Sequence, residues 1–311
     1  MPAAKGAKPQ PMERTEEFDA FGPWVLPVSE ADEVPRLFRP HAGDPHTAQA
    51  MLKVPRTISR RDANPSMDLY QHLLVFRDDI VVLLTRAPSQ SGGVHRRTVA
   101  AKDLLAIEES VDLLDGRLVL TVRDGPALRV SYNGSSRDLI RGFVDTVRAS
   151  WTTGVGGPGP ERDPHPIPLG LRELGPDVAL VTEYRALVAA EPAMHLLGAH
   201  PRERVEPVAP DAAGIVTRIG HRLWPMTLQG AIVCSDGREL VVLHRRPWWV
   251  RGARPVHSIA RTMIPVDRAN PFEILDHPDY HGVRTIRIGG VLELPVPLGS
   301  AGEQALREAL G

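Results

Sequence analysis

"GAIVCSDGRELVVL", residues 230–243, sets two short apolar, β-branched runs either side of Asp236-Gly237, and that pattern is the signature of a tight β-hairpin. A counterpart stands earlier in the chain, "LLVFRDDIVVLL" at 73–84. The likeness continues downstream. "RTVAAKD" at 97–103 and "RTMIPVD" at 261–267 share Arg-Thr, four intervening residues and Asp. A glycine turn follows in each, at Gly116 and Gly282. Alternating strands come next. "RLVLTV" (117–122) turns Leu118, Leu120 and Val122 to one face, and "VLELPV" (291–296) does the same with Leu292, Leu294 and Val296. Each series ends where the period changes from 2 to 3.6. In "NGSSRDLIRGFVDTVRAS" (133–150), Leu139, Ile140, Phe143, Val144 and Val147 form a helical stripe. In "GSAGEQALREAL" (299–310), Ala305, Leu306 and Leu310 do so. Ser135 with Asp138, and Ser300 with Glu303, have the spacing of capping boxes. The order of elements therefore predicts an internal duplication.

The remaining chain divides around these two stretches. Residues 1–17 are small and polar and read as a disordered tail. Residues 18–64 read as an extended proline-rich arm, because Pro23, Pro27, Pro35 and Pro40 forbid a long helix while Phe18, Phe21 and Trp24 are apolar enough to lie against a surface. "MLKVPRTI" (51–58) reads as a strand. The first domain is placed at 65–150. A Gly/Pro linker with one helix at about 177–198 fills 151–213, and the second domain spans 214–311.

Bulk composition limits function. A length of 311 residues with 42% apolar side chains suffices for two domains with real cores. The net charge of −1 argues against a general nucleic-acid binder. Only four of the 37 basic residues are lysines, and so strong an arginine bias reads as that of a GC-rich bacterial genome. One cysteine, Cys234, leaves no internal disulfide and suits a cytoplasmic location. No apolar run reaches the ~20 residues of a membrane helix, and the first 20 residues carry no apolar core of a signal peptide.

A small antiparallel sheet followed by a C-terminal amphipathic helix resembles the plan of bacterial pleckstrin-homology-like domains. The residues that carry the resemblance are "IVCSDGRELVVLHRR", "RTMIPVDR" and "GGVLELPVP" in the second stretch. In the first they are "VFRDDIVVLLTR" and "RRTVAAKDLLAIEESVDLLDGRLVLTV". The fold class it implies is mainly β (α+β), with two curled antiparallel sheets each closed by its helix. The function it implies is a non-enzymatic scaffold that binds a protein partner, with no cofactor. The hairpin turns "CSDGRE" and "RDDI" lack the Lys/Arg cluster of the inositol-lipid-binding members, which argues against that ligand.

The second stretch carries one elaboration, "RRPWWVRGARP" at 245–255, which lengthens the connection after its hairpin. Arg245, Arg246, Trp248, Trp249, Arg251 and Arg254 are accordingly the candidate binding residues, with Phe18, Phe21 and Trp24 as candidate contacts of the arm. Several uses suit such a loop. The tryptophans could fold back onto their own domain, form an interface hot spot with a protein, enter an anionic membrane surface as part of a peripheral membrane protein, or stack on single-stranded nucleic acid. Self-association into a homo-oligomer is compatible with the same surface.

Catalytic signals are sparse. The chain has no HExxH, GxSxG, P-loop or dinucleotide fingerprint. "DHPDYH" (276–281) has metal-ligand residue types and anchors the alternative of a metal-dependent enzyme with a site between the domains. A solvated turn would look the same, and no residue is assigned as a ligand. Cys234 precedes a tight turn and reads as a small core residue. The acidic run Glu108, Glu109, Asp112 and Asp115 reads as a solvated sheet edge.

Overall fold

The computed structural model describes residues 14–88, 93–151, 174, 177–208, 225–252 and 256–310. The chain forms two units, one comprising Met1–Asp78 and Val82–Thr98, the other Asp79–Val81 and Val99–Gly311. The first unit is built on a five-stranded sheet in the order β1-β2-β3-β4-β5. Its strands are β1 (Leu26–Pro27), β2 (Ala50–Pro55), β3 (Tyr70–Arg77), β4 (Ile80–Arg86) and β5 (Val94–Ala100). Two short helices, α1 (Glu16–Ala20) and α2 (Arg39–Ala42), interrupt the proline-rich stretch. That stretch pairs as well as packs: Leu26 faces Lys53 across the β1–β2 ladder. Phe21, Val28, Val34 and Phe38 share one core with Tyr70, Leu73 and Leu84. The single ammonium buried there, Lys53, donates to the Glu33 carbonyl at 2.9 Å, so its polar end is satisfied.

The second unit begins with β6 (Leu104–Asp112), β7 (Asp115–Val122), β8 (Leu128–Asn133) and α3 (Arg137–Ala149). After it come α4 (Val178–Ala190), β9 (His195–His200), β10 (Glu203–Pro207), β11 (Met226–Leu228), β12 (Ala231–Ser235) and β13 (Glu239–His244). The chain continues with β14 (Trp249–Arg251), β15 (Ile259–Pro265), β16 (Phe272–Asp276), β17 (Tyr280–His281), β18 (Val283–Ile288), β19 (Leu292–Pro297) and α5 (Ala301–Leu310). The element order β3-β4-β5, a 3₁₀ turn, β6-β7-β8, a second 3₁₀ turn and a helix is similar to β12-β13-β15, a 3₁₀ turn, β16-β18-β19 and a helix, with the short β14 and β17 interposed and no second 3₁₀ turn.

The pairing departs from the pleckstrin-homology-like expectation. None of the four sheets closes on itself and none is strongly curled. Instead β6 pairs with β15, Val111 facing Ile259 and Ile107 facing Met263, in an open seven-stranded sheet of order β8-β7-β6-β15-β13-β12-β9. Strands of the two similar stretches are therefore joined edge to edge, and the expected pair of plugged, curled sheets does not form. Alternation of apolar residues fixes which face of a strand is buried. It leaves the edge partner open, and the resemblance failed at that point.

The sheet is covered on both faces, which explains why β12 and β13 read as nearly continuous apolar runs. Ala231, Val233, Leu240 and Val242 face a core shared with the β16-β18-β19 sheet and α5. Residues of opposite parity, such as Cys234 and Val241, face the side on which α4 packs. Helix α5 approaches β9 so closely that a Cβ on Gly198 would lie 2.3 Å from the Ala301 carbonyl oxygen, so only glycine fits there.

Local signals read from the sequence fare unevenly. The Ser300 hydroxyl accepts from the Glu303 N–H at 3.1 Å, and the Glu303 carboxylate answers by accepting from the Gly299 N–H at 2.6 Å. Ser135 caps nothing. It lies in a 3₁₀ turn held by the Asn133 side chain, and α3 starts after Ser136. The helix expected over 177–198 ends at Ala190 because Pro192 cannot continue it, and the next residues become β9.

Candidate functional site

The tryptophan/arginine stretch is mostly structural mortar of the second unit. Arg245 grips the Asp177 carboxylate through Nε (3.1 Å) and Nη2 (2.5 Å), and donates to the Ser258 carbonyl at 2.8 Å. Asp177 also caps α4 by accepting from the Leu180 N–H. Arg246 reaches the β6–β7 hairpin, donating to Ser110 Oγ at 3.0 Å and to the Asp115 carboxylate at 2.7 Å. Trp248 stacks on the buried His244 ring at 4.2 Å, interplanar angle 10°. Trp249 stacks on Tyr280 at 4.7 Å and meets the edge of His277 at 4.9 Å. The long connection forms β14, which completes a four-stranded sheet of order β14-β11-β10-β17. Both indoles pack on the cluster of Val205, Leu228 and Val283. Arg251 is exposed on β14, and Arg254 lies outside the described residues.

Of the arm residues, Phe21 is buried and meets Tyr70 edge-on, Phe18 is half-buried beneath the Arg60 guanidinium, and Trp24 is 55% exposed. The acidic run is not a uniformly solvated edge. Glu109 is 1% exposed and accepts from Arg137 (2.8 Å), Arg141 (3.2 Å) and the Tyr132 hydroxyl (3.3 Å).

The metal-enzyme alternative fails as well. Among the described residues no group of three or more His, Cys, Asp or Glu is placed to hold a metal ion. Within "DHPDYH", Asp276 pairs with Arg284 at 2.6 Å, and His277 packs against Trp249 and Tyr280. Cys234 is buried, and burial pushes its thiol up to about 12, so it is not a thiolate at neutral pH.

A concave feature of the second unit lies elsewhere, at the C-terminal end of α3. A cavity of about 370 Å³ opens between that helix end, the β12–β13 turn, the end of β15 and Glu191 after α4. The turn is rigid. Asp236 accepts from the Arg238 and Glu239 N–H groups at 2.8 and 2.9 Å, and Gly237 takes φ +85°, which favours glycine. Ala149, Trp151, Pro265 and Val266 supply an apolar wall. Trp151 is 7% exposed, and its indole N–H has no acceptor among the described residues.

Arg148 organises the charged side. Its Nε lies 3.1 Å from both oxygens of Glu239, its Nη2 is 2.7 Å from Glu191, and its Nη1 is 2.7 Å from Asp145. Arg261 adds a second guanidinium on Glu191. The protonation tendencies follow from these contacts. Burial pushes Glu239 up, and the Arg148 bonds only partly offset it. Burial also works to raise Glu191, but the Arg148 bonds and the Arg261 charge outweigh it and its pKa falls. Burial works to lower Arg148, yet its carboxylate partners prevail and hold the proton more firmly.

No family model matches the chain, and neither a curated protein nor a solved structure does so at significance. Among the described residues no helix is long and apolar enough to cross a membrane.

This cavity is not legible in the sequence because its wall comes from four separated places in the chain. Two signals lay in plain view: a tryptophan immediately after an amphipathic helix, and a hairpin turn flanked by Asp236 and Glu239.

Proposed function

We propose that the second unit is a small-ligand-binding module, that the cavity at the C-terminal end of α3 is its site, and that the protein binds rather than transforms what enters. The observation that carries this reading is the cavity itself. Its volume of about 370 Å³ falls in the range of small-molecule sites, and its make-up of an apolar wall with a few fixed polar groups is theirs too. The non-catalytic part is supported by the lining chemistry. The described lining residues are acids, two arginines, Gly, Ala, Val, Pro and Trp, with no hydroxyl, thiol, imidazole or amine beside the carboxylates. The innermost carboxylate, Glu239, is held at both oxygens by Arg148. A charge fixed in this way orients a ligand.

The test is a fragment screen by ligand-observed NMR on the full chain, repeated with Ala149→Phe. Ala149 is exposed at the end of α3 and lines the cavity, so a phenyl group there fills the site without disturbing the core. Fragments that bind the wild type and are lost in the variant support the reading. A screen without binders, or binders indifferent to the variant, overturns it.

A further inference from the structure

We propose that the free edge of β16 is a self-association surface, on which a second copy of the chain adds its own β16 antiparallel to make a two-fold dimer. The backbone carries the argument. In the β16-β18-β19 sheet, β16 and β19 are the edges. The ladder between β16 and β18 is extended by the His277 N–H donating to the Val283 carbonyl and the Gly289 N–H donating to the Pro271 carbonyl, both at 3.0 Å. Bonded pairs alternate along an antiparallel ladder. Glu273 and Leu275 therefore turn their backbone groups to β18, and Phe272, Ile274 and Asp276 turn theirs outward. Among the described residues nothing pairs with that outward row.

The opposite edge is built differently. The Leu298 N–H donates to the Gly282 carbonyl at 2.8 Å, which makes Glu293, Pro295 and Pro297 the outward positions of β19. Both prolines lack an N–H, a common protection against edge pairing. β16 has neither a proline nor a bulge. One open edge and one blocked edge let two copies join through this sheet and leave no place for a third.

The side chains favour a like partner. Phe272 and Ile274 are half-buried at the rim of the core that this sheet shares with α5, and Leu275 on the other face is 38% exposed. A second copy continues that apolar strip with its own. Both carboxylates of β16 have a guanidinium of β18 beside them, Asp276 with Arg284 at 2.6 Å and Glu273 with Arg287 at 3.8 Å. The edge thus offers no unpaired charge to an acidic or a basic peptide, and the net charge of −1 leaves little repulsion between copies. Charge also chooses the register. Pairing Ile274 with itself uses all three outward positions and makes about six backbone hydrogen bonds. It sets Glu273 opposite Leu275 of the second copy, whereas the register that sets Glu273 opposite itself opposes like charges.

Sedimentation equilibrium on the full chain, from about 10 to about 500 µM, tests this, because one short strand seam makes a small and weak interface. A monomer–dimer equilibrium is expected within that range. Leu275→Lys should tighten it about fivefold by placing an ammonium opposite Glu273 on each side of the axis, and Leu275→Glu should weaken it about as much. Leu275 is exposed in the single chain, so neither change empties the core. The Ile274 N–H should exchange with deuterium rapidly in dilute solution and slowly in the dimer, while the Leu275 N–H, already turned to β18, is protected in both. A chain that stays monomeric throughout overturns the proposal. So does a dimer that the two substitutions fail to move in opposite directions, or one that leaves Ile274 exchange unchanged, because its seam lies elsewhere.

Discussion

Replacing Arg148 by Met should destabilise the second unit by up to about 3 kcal/mol at pH 7, and by much less at pH 5. The side chain bridges Glu239, Glu191 and Asp145, and Glu239 is 7% exposed. Without the guanidinium that carboxylate has two options, a buried unpaired charge or a proton. Protonation sets the ceiling. Glu239 ordinarily titrates at 4.5, about 2.5 units below pH 7, and each unit is worth ~1.36 kcal/mol, so its penalty cannot exceed ~3.4 kcal/mol. Glu191 keeps Arg261 and adds little. At pH 5 the same ceiling falls to ~0.7 kcal/mol. The sign follows from linkage. In the variant the folded-state pKa of Glu239 rises further above its unfolded value, so the variant binds a proton on folding and its deficit grows as pH rises. Urea unfolding followed by tryptophan fluorescence at the two pH values measures this, and adding Glu239→Gln should recover most of the loss by removing the charge. A deficit below ~1 kcal/mol at pH 7, or one that does not change with pH, refutes the reasoning.

Trp248→Ala should cost about 2–3 kcal/mol, because the indole is stacked on His244 and packed on the core rather than presented to solvent; an unchanged urea midpoint would contradict that. Leu113, 73% exposed at the β6–β7 turn with φ +55°, sits in the left-handed region at a cost of roughly 1 kcal/mol. Leu113→Gly should therefore raise stability, and a lower melting temperature would show the strain to be absent. His200 is 2% exposed, and burial lowers its pKa from 6.5 to about 4. Its unfolded form takes up a proton first, so up to ~3 kcal/mol of stability present above pH 6.5 is lost as pH falls towards 4. His200→Leu should flatten that part of the stability profile, and a profile of the same slope would refute the assignment.

Local structure was legible where a single stretch decided it. Asp236-Gly237 made the hairpin, the Leu118/Leu120/Val122 alternation made β7, and the Ile140/Phe143/Val144/Val147 stripe made α3. What escaped was pairing over distance. The run from 104 to 112 gives no hint that its free edge meets Ile259–Met263, because both candidate partners of such a strand are apolar and β-prone. The tryptophan/arginine stretch misled for a related reason. Large aromatics beside arginines suit an interface between two molecules and an interface within one equally well, and only the positions of Asp177, Asp115 and Tyr280 decide between them. The cavity was invisible because Trp151, Asp236, Glu191 and Val266 meet only in three dimensions.

The β6–β15 ladder bears on how the molecule is made. Its partners are roughly 150 residues apart in the chain, so this seam closes only after nearly the whole second unit has been synthesised. Until then β6 waits with one row of amides and carbonyls unclaimed, a ready template for the wrong neighbour. Cutting the chain within 152–173 would leave β15, buried along almost its whole length, with its flank bare in the C-terminal fragment. Such fragments should aggregate when expressed alone and regain solubility when produced together, as two pieces that complete one shared sheet.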